Sequence, residues 1–231
     1  MSMGKKIKRY FAVEKKFFTR IKKAFGSEIV LYCVTGSLGR NDIIPGWSDI
    51  DILLVVENYS AALFKSTLNA LDTNTSGIKI GLTFYSVAEF NNELFKDPKT
   101  YHSLKLINDG IFSPRIFRKD KIKLAVPKKS TIKIFDDIDF TKVLQELKKE
   151  LIKGQRFNEI KVYKNITLLL KILMRRNGVY CLGYKNVFSE APHVLKGFLL
   201  RFSSPEEILQ SPHLKQQRFQ IYIDFLNWLK K

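Results

Sequence analysis

The chain is poor in cysteine, with Cys33 and Cys181 alone among 231 residues. Cys33 falls in an apolar run that reads as a buried strand, so no disulfide framework is indicated and a reducing, cytoplasmic setting is expected. The histidines are as few: His102, His193 and His213 are scattered, and with two distant cysteines they offer no zinc-ligand spacing. No apolar run approaches the ~20 residues needed to cross a bilayer. The basic N-terminus lacks the unbroken apolar core of a signal peptide. Internal repeats and low-complexity tracts are also missing. Acidic residues are the most telling shortage. Asp and Glu number 22 against 40 Lys and Arg, leaving a net charge of +18. Such a surface repels polycations over long range and attracts polyanions. An apolar share of 45% still allows a sizeable core, in one large or two small domains.

What is there is organised around Leu31 to Glu57. An apolar run from Ile29 to Val34 reads as a buried strand and leads into Gly36-Ser37. Gly36 lets backbone approach a ligand. Ser37 and Leu38 then sit at the mouth of a helical turn, where exposed N–H groups and the Ser37 hydroxyl form a phosphate cradle. Asp49-Ile50-Asp51 opens a second apolar run, Ile52 to Val56. On a strand, residues two apart project from one face, which places both carboxylates side by side. They repel unless a cation lies between them, and hard oxygen ligands of this kind suit Mg²⁺ carrying a nucleotide's phosphates.

Gly36-Ser37, the gap from Leu38 to Asp49, and Asp49-Ile50-Asp51 before an apolar strand together resemble the signature of the polymerase-beta-like nucleotidyltransferase superfamily. The resemblance implies that Gly36 and Ser37 hold a triphosphate and that Asp49 and Asp51 bind Mg²⁺ or Mn²⁺ and are catalytic. Arg40 resembles the basic residue that often follows the Gly-Ser turn and touches phosphate. The family usually supplies a third carboxylate from a later strand. The candidate strand is Ile78 to Tyr85, passing into Ser86-Val87-Ala88-Glu89-Phe90, yet no acidic residue stands near Gly81 or Thr83. Glu57, Glu89 and Asp72 are the neighbouring acids, and none is expected on that strand. The implied fold is α+β: a nucleotidyltransferase-type mixed sheet flanked by helices, followed by a helical bundle.

Taken in order, the chain divides into residues 1–114, a nucleotidyltransferase domain preceded by a basic helix, a basic connector 115–139, and a helical domain 140–231. The leading segment interleaves Lys5, Lys6, Lys8, Arg9, Lys15, Lys16, Arg20, Lys22 and Lys23 with Tyr10, Phe11, Phe17, Phe18, Ile21 and Phe25. It reads as an amphipathic helix packed on the domain with a solvated basic face; nucleic-acid and membrane-surface contact are the sharper readings. Helices are expected over Tyr59 to Leu71, with Ser60 as N-cap, over Val87 to Lys96, and over Pro98 to Asn108. A loop is expected over Thr73 to Gly77, and a short extended piece at Ile111-Phe112. Within the connector, Arg115 to Lys133 carries Arg115, Arg118, Lys119, Lys121, Lys123, Lys128, Lys129 and Lys133 against only Asp120, with Pro127 as a breaker, and reads as solvated linker or phosphate-contact surface. Asp136, Asp137 and Asp139 read as caps for a helix starting near Phe140.

Beyond Phe140 helices are expected over Thr141 to Lys153 and Arg156 to Asn177, the latter stopped by Gly178. Further helices span Asn186 to Phe202, broken by Pro192, then Glu206 to Leu209 and Leu214 to Leu229. This part resembles, more loosely, the helical substrate domains of small bacterial nucleotidyltransferases, with Arg176 to Tyr180 the most similar stretch. There a basic residue reaches the triphosphate, and Lys164 and Lys171 are the candidates here; a solvated lysine is the ordinary reading of each. Related helical domains that are ribonucleases carry an arginine followed closely by a histidine on one helix, a spacing this chain lacks. The function implied is transfer of a nucleoside monophosphate from a nucleoside triphosphate to an acceptor hydroxyl. The charge favours a polyanionic acceptor such as RNA, tRNA first, over a polycationic drug, and a protein hydroxyl is open. The alternative is a catalytically impaired protein of the same fold that binds nucleotide or nucleic acid.

Overall fold

The computed structural model describes residues 3–72, 76–93, 96–125 and 128–230. Thr73 to Thr75 of the expected loop and the expected breaker Pro127 lie outside the described residues. The chain forms two compact units, Met1–Lys128 and Lys129–Lys231. Arg115 to Lys128 therefore belong to the first unit, and the rest of the expected connector opens the second.

The first unit is built on a four-stranded mixed sheet in the order β3-β2-β1-β4. Strands β1 (Ile29–Thr35) and β2 (Ile50–Val56) are the inner pair, antiparallel, with Thr35 facing Asp51 across the ladder. Both are nearly continuous apolar runs, as strands covered on both faces require. Strand β3 (Ile80–Ser86) runs parallel to β2, pairing Asp51 with Gly81 and Leu53 with Thr83. Strand β4 (Ile116–Phe117) closes the other edge on Leu31 and Tyr32. The expected extended piece at Ile111-Phe112 thus falls a few residues before the true edge strand.

Helix α1 (Met3–Phe25) buries Tyr10, Glu14, Phe17, Ile21 and Phe25, a three-and-four spacing that makes one stripe. Lys5, Lys6, Lys8, Lys15, Lys16, Lys22 and Lys23 are exposed. The reading of a packed helix with a solvated basic face holds. Buried Glu14 accepts from Tyr32 Oη at 3.0 Å and pairs with Arg115. Burial nevertheless pushes its carboxyl above the usual range. Arg118 reaches Glu57 at 2.8 Å and the Ser27 carbonyl at 2.7 Å. Several connector cations thus tie β4 and its flank to this unit instead of lying free in a linker.

Helix α2 (Gly36–Arg40) follows β1, and α3 (Ala61–Asp72) follows β2 with Ser60 Oγ accepting from Leu63 N at 3.1 Å, the expected cap. Helix α4 (Val87–Asn91) is shorter than expected and is opened by a Ser86/Glu89 capping box. Helix α5 (Pro98–Asn108) has the expected bounds and is capped by Asp97.

The second unit is helical. Helix α6 (Lys129–Leu151) begins eleven residues before the expected start at Phe140, so Asp136, Asp137 and Asp139 lie inside it and do not cap it. Arginines from α7 (Glu159–Arg176) supply the reason. Arg175 grips Asp136 through two bonds, at 3.0 and 2.5 Å, and Arg176 reaches Asp137 at 2.6 Å. Helix α7 is the core helix, with Val162, Ile166, Leu169, Leu170 and Met174 buried, and it ends before Gly178 at φ +80°. Helices α8 (Tyr184–Val194, containing Pro192), α9 (Pro205–Gln210) and α10 (Lys215–Trp228) complete the bundle. Inside it, Arg218 holds Glu159 by two 2.7 Å bonds, and Tyr222 Oη donates to Glu159 at 2.6 Å.

Candidate active site

The site forms where β1 ends against β2. Because Thr35 pairs with Asp51, the chain leaving β1 must turn directly beside that carboxylate. Gly36 makes the turn at φ +62°, a conformation that costs an L side chain about 1–2 kcal/mol. A methyl group built there would lie 2.2 Å from Asp51 Oδ2 and 3.0 Å from its Cγ. Glycine is required twice over, by the backbone angle and by the neighbouring carboxylate. Ser37, buried, is the second residue of α2, and its carbonyl accepts from Asp42 N at 2.9 Å.

On the other side of Asp51 stands β3. Gly81 is its ladder partner, and a methyl group at Gly81 would lie 3.1 Å from Asp51 Oδ1. The carboxylate is thus flanked by two glycines and is about one quarter exposed. Its Oδ1 accepts from Lys99 Nζ at 2.6 Å, an ammonium delivered by the first turn of α5. The lysine is about half exposed, so the pair contributes less than about 1 kcal/mol to stability.

The other expected site residues are placed as follows. Asp49 is half-buried and lies one residue ahead of β2, which begins at Ile50, so only Asp51 is a strand residue. Arg40 ends α2 and directs Nε to Asp42 Oδ2 at 3.0 Å. Lys164 and Lys171 lie on α7 of the second unit, where Lys171 donates to the Leu182 carbonyl and lies over the Tyr184 ring. Of the acids near the third strand, Glu57 pairs with Arg118, Glu89 belongs to the α4 capping box, and Asp72 ends α3. Among the described residues no three His, Cys, Asp or Glu side chains gather as a metal site.

Comparison with known proteins decides the family. The nucleotidyltransferase domain matches residues 14–173, well over half of the chain. The chain belongs to the nucleotidyltransferase family. Its fold is similar to that of a spectinomycin adenyltransferase from Enterococcus faecialis solved with ATP and spectinomycin, with a TM-score of 0.61 over 96% of this chain and 99% of that one, at 12% identity. No curated protein matches. The mixed sheet with flanking helices and a helical C-terminal region is that of nucleotidyltransferases, as the resemblance implied.

Do the residues of this nucleotidyltransferase fit a divalent cation? Two observations say that they do. A carboxylate oxygen already meets a positive charge at 2.6 Å, and with glycines on both sides the carboxylate remains about one quarter exposed. The donors are hard oxygens, the type that Mg²⁺ and Mn²⁺ take. Lys99 is the residue that sequence reasoning missed. Nothing in the local pattern Asp97-Pro98-Lys99-Thr100 beyond a helix start marks it, and only the packing of α5 beside β3 brings it to Asp51.

Proposed function

We propose that this nucleotidyltransferase moves a nucleoside monophosphate from a nucleoside triphosphate to an acceptor hydroxyl with the help of Mg²⁺ or Mn²⁺. The observation that carries this reading is the contact between the Asp51 carboxylate and the Gly36 bend. ATP is the donor of choice by similarity to the adenyltransferase, which was solved with it. Asp49 and Asp51 would hold the cation, which when bound neutralises the phosphates and lowers the cost of the charge that develops on the leaving group. The Gly36–Leu38 backbone and the Ser37 hydroxyl bind the β- and γ-phosphates, and Arg40 turns from Asp42 to their charge.

For the acceptor, the net charge of +18 and the row of exposed lysines on α1 favour a polyanion, RNA above all and tRNA first. A polycationic drug would meet long-range repulsion. A second reading, a catalytically impaired nucleotide- or nucleic-acid-binding protein, is favoured by one observation: the β3 residue beside Asp51 is Gly81, where the base for the attacking hydroxyl is expected. Such a base contributes ~10²–10⁴-fold in rate.

Incubation with each labelled triphosphate, Mg²⁺ or Mn²⁺, and either total RNA or cell protein separates these readings. Label carried to RNA by the natural chain, and lost in Asp49→Asn and Asp51→Asn, is the expected result. Label on protein would move the acceptor to a protein hydroxyl. Metal-dependent triphosphate binding without any labelling would establish the impaired reading.

A further inference from the structure

The Asp51 carboxylate has two unlike sides. Oδ2 faces the Gly36 bend, and Oδ1 faces β3 and Lys99. A pair of divalent cations needs bridging carboxylates and further oxygen ligands on both flanks. On the β3 flank the ladder partner of Asp51 is Gly81, which has no side chain to offer, while Thr83 pairs with Leu53 one repeat further along the same strand. The group that does occupy this flank is an ammonium, 2.6 Å from Oδ1. It enters from α5, whose first turn is fixed by the Asp97 cap accepting from Thr100 N at 2.6 Å and by Tyr85 Oη, which accepts from Asp97 N at 3.1 Å and shares a 3.0 Å hydrogen bond with Thr100 Oγ1. Tyr85 itself is a β3 residue. The start of α5, and with it Lys99, is thus tied to the strand that lacks the ligand.

We infer that Lys99 takes the place of a second divalent cation, so that the site loads one metal ion per chain, on the Gly36 side of Asp51, with the lysine charge completing the neutralisation on the β3 side. The inference rests on the nucleotidyl-transfer reading above and sharpens it. A second divalent ion at Oδ1 would have to displace the ammonium, and Gly81, the ladder partner on that flank, brings no side-chain oxygen to it. The lysine also competes with the first ion for the same carboxylate, so removing its charge strengthens that ion's binding.

The test is a count of bound Mn²⁺ by electron paramagnetic resonance, with and without a non-hydrolysable triphosphate analogue. The natural chain should bind one ion per chain in the presence of the analogue, and Asp51→Asn should abolish it. Lys99→Met should tighten the first site about tenfold without nucleotide, as expected on removing a partly screened neighbouring cation. Lys99→Arg should leave affinity and count unchanged. Lys99→Asp should admit a second ion. Two ions in the natural chain, or a Lys99→Met variant with unaltered Mn²⁺ affinity, would overturn the inference and leave nucleotidyl transfer standing. No Asp51-dependent Mn²⁺ binding in any variant would overturn both.

Discussion

The most demanding prediction concerns Gly36. Gly36→Ala faces two costs that can be separated, because Gly110 shares the first without the second. Both glycines have positive φ, +62° and +73°. A methyl group at Gly110 meets nothing within 4 Å, whereas at Gly36 it lies 2.2 Å from Asp51 Oδ2. Gly110→Ala should therefore cost about 1 kcal/mol, the left-handed penalty alone. Gly36→Ala should cost about 2–3 kcal/mol, since the carboxylate must also rotate away and surrender its contact with Lys99. At roughly 2–4 °C per kcal/mol for chains of this size, that is a loss of about 4–12 °C. Trp47 is buried in the first unit, and the other tryptophan, Trp228, belongs to the second. Urea unfolding followed by Trp47 fluorescence in a Trp228→Phe background reports the relevant unit. The double variant Gly36→Ala/Asp51→Ala should recover most of the excess over Gly110→Ala. Equal destabilisation by Gly36→Ala and Gly110→Ala would mean that the carboxylate does not lie against the bend, and the site would fall with it.

Two further predictions probe the units separately. Burial pushes the Cys33 thiol up to about 12. Its neutral form therefore contributes stability that is whole below pH 9, where the unfolded thiol begins to ionise, and is lost as pH rises toward 12. The slope is about 1.4 kcal/mol per pH unit, and subtracting the pH profile of Cys33→Ala should reveal it; superimposable profiles would deny the burial of that thiol. In the second unit, Asp136→Ala should cost about 3 kcal/mol in urea unfolding, because it strands the largely buried Arg175 guanidinium. A loss of about 1 kcal/mol, equal to that of an N-cap, would favour a helix starting near Phe140 instead.

The parts of this molecule that could be read in advance are those whose cause is local. An apolar run from Ile29, a glycine and a serine, and two aspartates before another apolar run dictate strand, bend and strand without reference to the rest of the chain. Ser60 and Gly178 likewise announce a helix start and a helix stop through their own backbone chemistry. The misread parts owe their shape to partners distant in sequence. Asp136 and Asp137 resemble caps until arginines 39 residues later fold onto them and let α6 run straight through. Arg115 and Arg118 resemble linker charges until Glu14 and Glu57 are brought alongside by the sheet. Lys99 is the sharpest case, because it is one basic residue among 40 and nothing in its neighbours distinguishes it. Its meaning comes from register. β2 and β3 pair Asp51 with Gly81, the missing side chain leaves one carboxylate oxygen without a ligand on that flank, and the helix tied to β3 through Tyr85 lays a cation there. An absence at position 81 and a charge at position 99 are therefore one feature, and an acid introduced by Gly81→Asp should be tolerated only when Lys99 is free to answer it.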